Sequence, residues 1–409
     1  MKYIVILGDG MADYPVEELG NKTPLTAANK PMIDALAKKS EIGLVKTVPD
    51  HLKPPGSDIA NMSVMGYDPD VYYTGRSPLE AVSMGITMKD DDLAIRCNVV
   101  HLSEDEEVYE KKTMVDYSSD EISTAESKVL MEYINEKLGC PKMKFYPGVS
   151  YRHCIIADMP GKVVLGCTPP HDITGRCIED YMPAGEDGKF LIDYMKKSYD
   201  LLLHHPINEA RRAKGLNTAN SIWPWGEGRK PGLSNFEKKY NLKGAVISAV
   251  DLVMGLGICA DMEVIKVPDV TGNIKTNFDG KAQAAIDYLT NKGDFVYLHM
   301  EAPDECGHRH EIENKKKSIE IIDTKVVKPI YEALKASGED FKILIMPDHP
   351  TPLAIRTHTH EPVPYMIYDS RNESSEPVDA NAVYDEAYAA STGIYKEIGF
   401  RLMDHFIFD

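Results

Sequence analysis

Three short β-rich runs in this chain are each followed, within a few residues, by an acidic or imidazole cluster. Lys2–Gly8 leads to Asp9, Phe295–Met300 leads to Asp304 and His308, and residues 342–346 lead to Asp348 and His349. A fourth cluster, His358-Thr359-His360, comes just before a run at residues 363–368. Continuous apolar runs of this length, closed by turn residues, read as buried strands. In open α/β sheets, ligands bind beyond the carboxyl ends of strands, so residues far apart in sequence can converge there.

The rest of the chain supports an α/β reading. Residues 31–39 carry apolar side chains on one helical face, and residues 42–48 read as a second strand. Pro54-Pro55-Gly56 is a turn, and Ser57 then precedes a helix expected over residues 58–65. Between about 90 and 220 the texture changes to short strands (93–101, 149–158), a helix over 121–138 and another over 191–203. The strand–helix rhythm then resumes, with an apolar, helix-like stretch at 245–257, a helix at 281–290 and a long helix at 313–334. The expected architecture is a mixed sheet flanked by helices, residues 1–90 and 220–409, interrupted by an α+β domain of residues 91–219.

Composition narrows the function. The 409 residues are 43% hydrophobic, enough for a sizeable core, and no apolar run approaches a membrane span. The N-terminus reads as a first strand, not a signal peptide. A net charge of −18 argues against a general nucleic-acid surface, though not against a local anion site. The 7 cysteines form no CxxC pair and fit free thiols in a reducing cytosol, so a cytoplasmic location is expected.

Asp and His together form an oxygen and nitrogen ligand set suited to Mn²⁺, Zn²⁺ or Mg²⁺. Each such residue could instead be a cap or a surface group; three clusters at strand ends favour the metal reading. Ser57 is either a simple N-cap or a nucleophile whose hydroxyl a metal activates. Arginine is scarce, 11 of 46 basic residues, and six of them (Arg76, Arg96, Arg152, Arg176, Arg211, Arg212) lie between 76 and 212. Because Arg pairs bidentately with carboxylate and phosphate, that grouping suggests a small anionic substrate.

Several segments carry a resemblance. GDGMADYP (8–15), PGSDIANMSVMGYDP (55–69), YYTGRSPLEA (72–81), PPHDITGR (169–176), APDECGH (302–308), PDH (347–349) and HTHEPVPY (358–365) resemble cofactor-independent phosphoglycerate mutases of the archaeal type, in the alkaline phosphatase superfamily. The resemblance implies an alkaline phosphatase-like sheet with an inserted cap, and two divalent ions, Mn²⁺ foremost with Mg²⁺ or Zn²⁺ as alternatives. Asp9, Ser57, Asp348 and His349 match the ligands of one ion; Asp304, His308 and His358 match the other, His358 being preferred to His360. It further implies a phosphoserine at Ser57 and a small phosphorylated substrate, phosphoglycerate, with neither nucleic acid nor membrane as partner. The substrate contacts expected are Arg76, Arg96, Arg152, His153, His171, Arg176 and Arg212. The family's phosphate-contacting lysine has only Lys243 as a candidate. HMEAPDECGH departs from the Lys-Ala-Thr-Asp segment usual in archaeal mutases. A bacterial branch similar to this chain has been proposed to phosphorylate homoserine, so that activity and a metal-dependent phosphatase stay as alternatives.

Overall fold

Strands that are buried on both faces must be apolar throughout, and the continuous runs noted above form the middle of an eight-stranded sheet. In the computed structural model, which describes residues 1–373 and 376–409, the strands in chain order are β1 (Lys2–Gly8), β2 (Ser40–Val45), β3 (Asp92–Leu102), β4 (Met114–Asp116), β5 (Met143–Val149), β6 (Arg152–Asp158), β7 (Ser221–Arg229), β8 (Gly244–Ile247), β9 (Glu263–Val264), β10 (Phe295–Met300), β11 (Phe341–Met346), β12 (Val363–Asp369) and β13 (Tyr395–Lys396). They fall into two units, residues 1–73 with 232–409, and residues 74–231.

The first unit holds the large sheet, in the order β13-β2-β12-β11-β1-β10-β8-β9. β1 lies between β10 and β11 and is parallel to both. β12 runs antiparallel to β11 and to β2, so its amino end lies beside the carboxyl ends of β1, β10 and β11. Every residue of β10, β11 and β12 is buried. Helices Pro31–Ala37, Phe278–Asn291 and Lys328–Ser337 cover one face, where Ile4, Ile6, Val296, Leu298, Ile343 and Ile345 meet Leu36, Ala285, Leu289 and Ile330.

Two elements differ from the sequence reading. The apolar stretch at 245–257 is not one helix: Gly244–Ile247 is strand β8, and a helix follows over Asp251–Cys259. A short apolar run cannot announce its period, and here pairing with β10 decides it. The long helix expected at 313–334 is Ile312–Ile321, then a π-helical turn over Ile322–Val327, then Lys328–Ser337. Pro329 brings no N–H to the ladder, and the wider turn accommodates that gap. Smaller shifts move the expected strand at 42–48 to Ser40–Val45 and split 149–158 into the end of β5 and the strand β6.

The second unit has an antiparallel sheet in the order β4-β3-β6-β5, with β7 on the other side of β3. It has its own core, in which Ile95, Val99, Ile155 and Trp223 pack with Leu130, Ile134, Leu191 and Met195 of helices Thr124–Leu138 and Lys189–Leu202. Its limits lie at 73/74 and 231/232, outside the expected 90/91 and 219/220. The reason is pairing: β7 runs along β3 from Val100↔Ser221 to Leu93↔Arg229, and helix Ser77–Ser83 packs on both strands. Among the described residues, no helix is long and apolar enough to cross a membrane.

Candidate active site

The carboxyl ends of three adjacent parallel strands deliver the acidic residues. Asp9 directly follows β1, Asp304 lies in the short helix Ala302–His308 after β10, and Asp348 and His349 follow β11. The segment before β12 brings His358 to the same end. Ser57 is the first residue of helix Ser57–Val64, whose N-cap is Gly56, so the serine hydroxyl does not cap the helix. This corrects the expectation that the helix begins after Ser57. The Ser57 hydroxyl instead lies 3.0 Å from Nε2 of His349.

Two groups of donors converge, and Asp304 belongs to both. One contains Asp9, Asp304 and His349; the other contains Asp304, His308 and His358. In the first, His349 Nε2 is 3.7 Å from Asp9 Oδ1; Asp348, beside that group, has its Oδ2 3.4 Å from the same nitrogen. In the second, Nε2 of His308 and Nε2 of His358 each lie 3.3 Å from an Asp304 oxygen. The rings of His349 and His358 stack, with centroids 3.9 Å apart. His360 points elsewhere, its Nε2 3.0 Å from the Leu52 carbonyl.

The protons on the two imidazoles decide whether this donor set suits cations. Nδ1 of His308 faces the Arg356 carbonyl at 2.9 Å, and Nδ1 of His358 faces the Pro55 carbonyl at 3.1 Å. A carbonyl only accepts, so both Nδ1 atoms carry protons, and in neutral rings both Nε2 atoms are lone pairs. Those lone pairs face each other at 2.9 Å. Only a proton or a metal ion makes that arrangement favourable. The hydrogen bond to Asp304 accordingly raises the His308 pKa to about 9. Burial disfavours the Asp304 charge, but hydrogen bonds from His308 and His358 outweigh it and hold that carboxyl well below the usual range. Asp9 has the opposite fate: burial, then the carboxylates of Asp348 and Asp304, push it well above the usual range. Its Oδ1 is fully buried without a hydrogen-bond partner. A buried, unpartnered carboxylate oxygen among further carboxylates calls for a cation, and the oxygen and imidazole donors fit divalent ions.

Further residues hold these ligands, and motif reading did not single them out. His299 accompanies Asp9, its Nε2 2.9 Å from Asp9 Oδ2, and burial drives its pKa down to about 3, so it is a neutral donor. It is the one imidazole in the buried FVYLHM strand, which is the signal that marks it. Asn61, one turn after Ser57, donates to Asp348 Oδ2 (2.7 Å) and accepts from the Tyr297 hydroxyl (2.7 Å). Lys243 is a correction. It immediately precedes β8 and pairs through its backbone with Asp294, which precedes β10, so it sits at the opposite end of the sheet from the donors.

The expected substrate residues all lie in the second unit. Arg76 and Arg96 share Glu80, with Nε and Nη2 of Arg96 at 2.9 and 2.8 Å from its oxygens. Arg96 also stacks on Trp225, 4.3 Å from the ring centroid, and His171 meets the same indole at 5.3 Å. Arg152 is exposed beside Tyr151, and the Arg176 guanidinium donates to the Tyr181 hydroxyl at 3.1 Å. His153 is buried, which lowers its pKa to about 3, and its Nε2 has no hydrogen-bond partner. Arg212 is engaged by Glu104 and Glu209.

Comparisons with known proteins identify the fold and the family. A family model described as 2,3-bisphosphoglycerate-independent phosphoglycerate mutase matches residues 37–208. A 2,3-bisphosphoglycerate-independent phosphoglycerate mutase of Methanosarcina barkeri is 48% identical over 398 residues, 97% of each chain. A protein of Pyrococcus horikoshii superposes with a TM-score of 0.80 at 28% identity, covering 99% of this chain and 96% of its own. A cofactor-independent phosphoglycerate mutase of Thermoplasma acidophilum superposes with a TM-score of 0.66 at 26% identity, covering 99% and 98%. Membership of this family implies divalent-metal use, which is what the donor set fits. The chain belongs to the 2,3-bisphosphoglycerate-independent phosphoglycerate mutase family.

Proposed function

We propose that this protein interconverts 2-phosphoglycerate and 3-phosphoglycerate through a phosphoserine at Ser57. The observation that carries the reading is the placement of the Ser57 hydroxyl: at the start of a helix, free of any capping role, and 3.0 Å from Nε2 of a histidine in the donor cluster. Asp9, Ser57, Asp348 and His349 would hold one divalent ion, and Asp304, His308 and His358 a second, with Mn²⁺ the first choice. Ions held there lower the pKa of the serine hydroxyl and offset the charge of the phosphoryl group.

The chain's own residues account for the rest. Ser57 Oγ forms a bond to phosphorus as the substrate's ester P–O bond breaks, and the serine proton passes to the departing glycerate oxygen. The backbone N–H groups at the helix start favour the dianionic phosphoserine. The glycerate then presents its other hydroxyl, whose oxygen bonds to phosphorus as the Oγ–P bond breaks, and the proton of that hydroxyl passes to Ser57 Oγ. Substrate recognition is assigned to Arg76, Arg96, Arg152, His153, His171 and Arg176. Glu80 and Trp225 hold the Arg96 guanidinium in one orientation before substrate arrives, which reduces the entropy cost of binding.

The test is Ser57→Ala in Mn²⁺-loaded protein without added bisphosphoglycerate. The variant should lose mutase activity by a factor on the order of 10⁴–10⁶, as for loss of a nucleophile elsewhere. Wild type quenched during turnover should carry one phosphoryl group on the peptide containing Ser57, and the variant none. An alanine variant with comparable turnover sinks the phosphoserine reading. ATP-dependent phosphorylation of homoserine, without phosphoglycerate turnover, would replace it.

A further inference from the structure

Thr351 touches one ligand from each donor group. Its hydroxyl donates to Asp304 Oδ1, and the same oxygen lies 3.3 Å from Nδ1 of His349. A threonine hydroxyl has one proton. Because that proton goes to a carboxylate, the oxygen can only accept from His349, which places a hydrogen on Nδ1. Nε2 of His349 is therefore the lone pair that faces Ser57, Asp9 and Asp348. The opposite tautomer would turn an N–H into the donor cluster and exclude a cation from that nitrogen.

The backbone of Thr351 is clamped as firmly as its side chain. Its N–H donates to the Ala12 carbonyl at 3.2 Å, and its carbonyl accepts from Lys315 Nζ at 2.8 Å. Lys315 is wholly buried, and its ammonium also reaches Asp13 at 2.7 Å. Asp13 in turn accepts from the backbone N–H of Leu353, beyond Thr351, at 3.2 Å. Gly10 has φ +62° and room for no side chain: a Cβ there would lie 2.4 Å from Thr351 Oγ1 and 2.7 Å from Asp304 Oδ1. Three ligand-bearing segments thus close on one hydroxyl.

We infer that Thr351 is a positioning residue: held by the buried Lys315–Asp13 pair, it fixes the His349 tautomer and the Asp304 carboxylate and so sets divalent-metal affinity. The inference rests on the metal-dependent reading above and adds to it a residue outside the ligand set. Partners that orient metal ligands typically change affinity 10–100-fold when removed.

The experiment compares Thr351→Val, which keeps the shape and loses the hydroxyl, with Thr351→Ser, which keeps the hydroxyl. Mn²⁺ titration by calorimetry should show a 10–100-fold weaker Kd for the valine variant and near wild-type affinity for the serine variant. In metal-free protein labelled with ¹⁵N-histidine, the His349 resonances, assigned by their loss in His349→Gln, should report the Nδ1–H tautomer in wild type and the serine variant. They should report a mixture in the valine variant. Wild-type Mn²⁺ affinity in Thr351→Val, or a serine variant as impaired as the valine one, overturns the inference. Wild type that binds no Mn²⁺ overturns the metal-dependent reading first, and the inference with it.

Discussion

Removing the charge of Lys315 isolates what the buried pair beneath the site contributes. Lys315 and Asp13 have side chains 0% and 1% exposed, with Nζ and Oδ2 2.7 Å apart. At that distance and an effective dielectric of about 20, the attraction is about 6 kcal/mol, and desolvation of the two ions offsets much of it. Burial pulls the Lys315 ammonium below the usual lysine pKa, with Asp13 acting against that shift. Lys315→Met leaves the Asp13 carboxylate buried with only the backbone N–H groups of Tyr14 and Leu353. The expected loss is about 3–5 kcal/mol of stability, the range for breaking a buried pair from one side. Lys315→Met with Asp13→Asn strands no charge and should be more stable than the single lysine variant, giving a coupling of about 2 kcal/mol or more. Urea unfolding of the metal-free full chain measures this. Both tryptophans, Trp223 and Trp225, lie in the 74–231 unit, so indole fluorescence follows that unit, and far-ultraviolet circular dichroism, to which both units contribute, is needed to register the unit that holds Lys315. A loss below about 1 kcal/mol in Lys315→Met, or additive effects in the double variant, would refute the claim that the pair is a desolvated structural unit.

The remaining expectations concern metal and protons. His308→Ala and Asp348→Ala should each reduce bound Mn²⁺ as well as turnover, and full metal content in both variants would remove them from the ligand set. Because His308 holds its proton up to about 9 when Asp304 is its partner, a cation must displace that proton. Mn²⁺ affinity should therefore climb with pH across the neutral range toward that value; pH-independent binding would contradict it. Glu386 is a half-buried carboxyl that accepts from Asp13 N–H and the Thr23 hydroxyl, and its desolvation raises the pKa from 4.5 to about 7. A folded pKa above the unfolded one means that its stabilising contribution is present below about pH 4.5 and lost as pH rises through about 7, by roughly 3 kcal/mol in total. Glu386→Gln should consequently gain on wild type in urea unfolding at pH 8 relative to pH 5; equal differences at the two pH values would show that the carboxyl is not so perturbed.

Much of this architecture was legible because the two signals involved are local. β1 and β10 have the limits read from their apolar runs, and β11 differs by one residue. The clusters after those strands follow directly from chain order. Elements failed where a local pattern was ambiguous or a distant partner decided. Gly244–Ile247 is a strand because β10 pairs with it, and β7 belongs with the second unit because it lines β3. Nothing within residues 220–229 announces that partner. Ser57 shows the limit at finer grain: a serine beside a helix start reads equally as cap or nucleophile, and only the position of Gly56 separates them.

The candidate site divides along the same line. Ligands are visible in sequence because Asp and His at strand ends are chemically conspicuous. The groups that make them usable are not, because their partners are hundreds of residues away: Asp9 with His299, Asp348 with Asn61, Asp13 with Lys315. Lys315 lies on a helix whose sequence, IENKKKSIEI, offers three consecutive lysines, and charge alone gives no reason to bury the first of them. Its place is dictated by a carbonyl at Thr351 and a carboxylate at Asp13 that the fold brings beneath one helix turn. A buried cation there costs desolvation and is retained only with several acceptors in place. The interior of this site is thus specified by the pairing of buried polar groups, and that pairing becomes readable only once β1, β10 and β11 lie side by side.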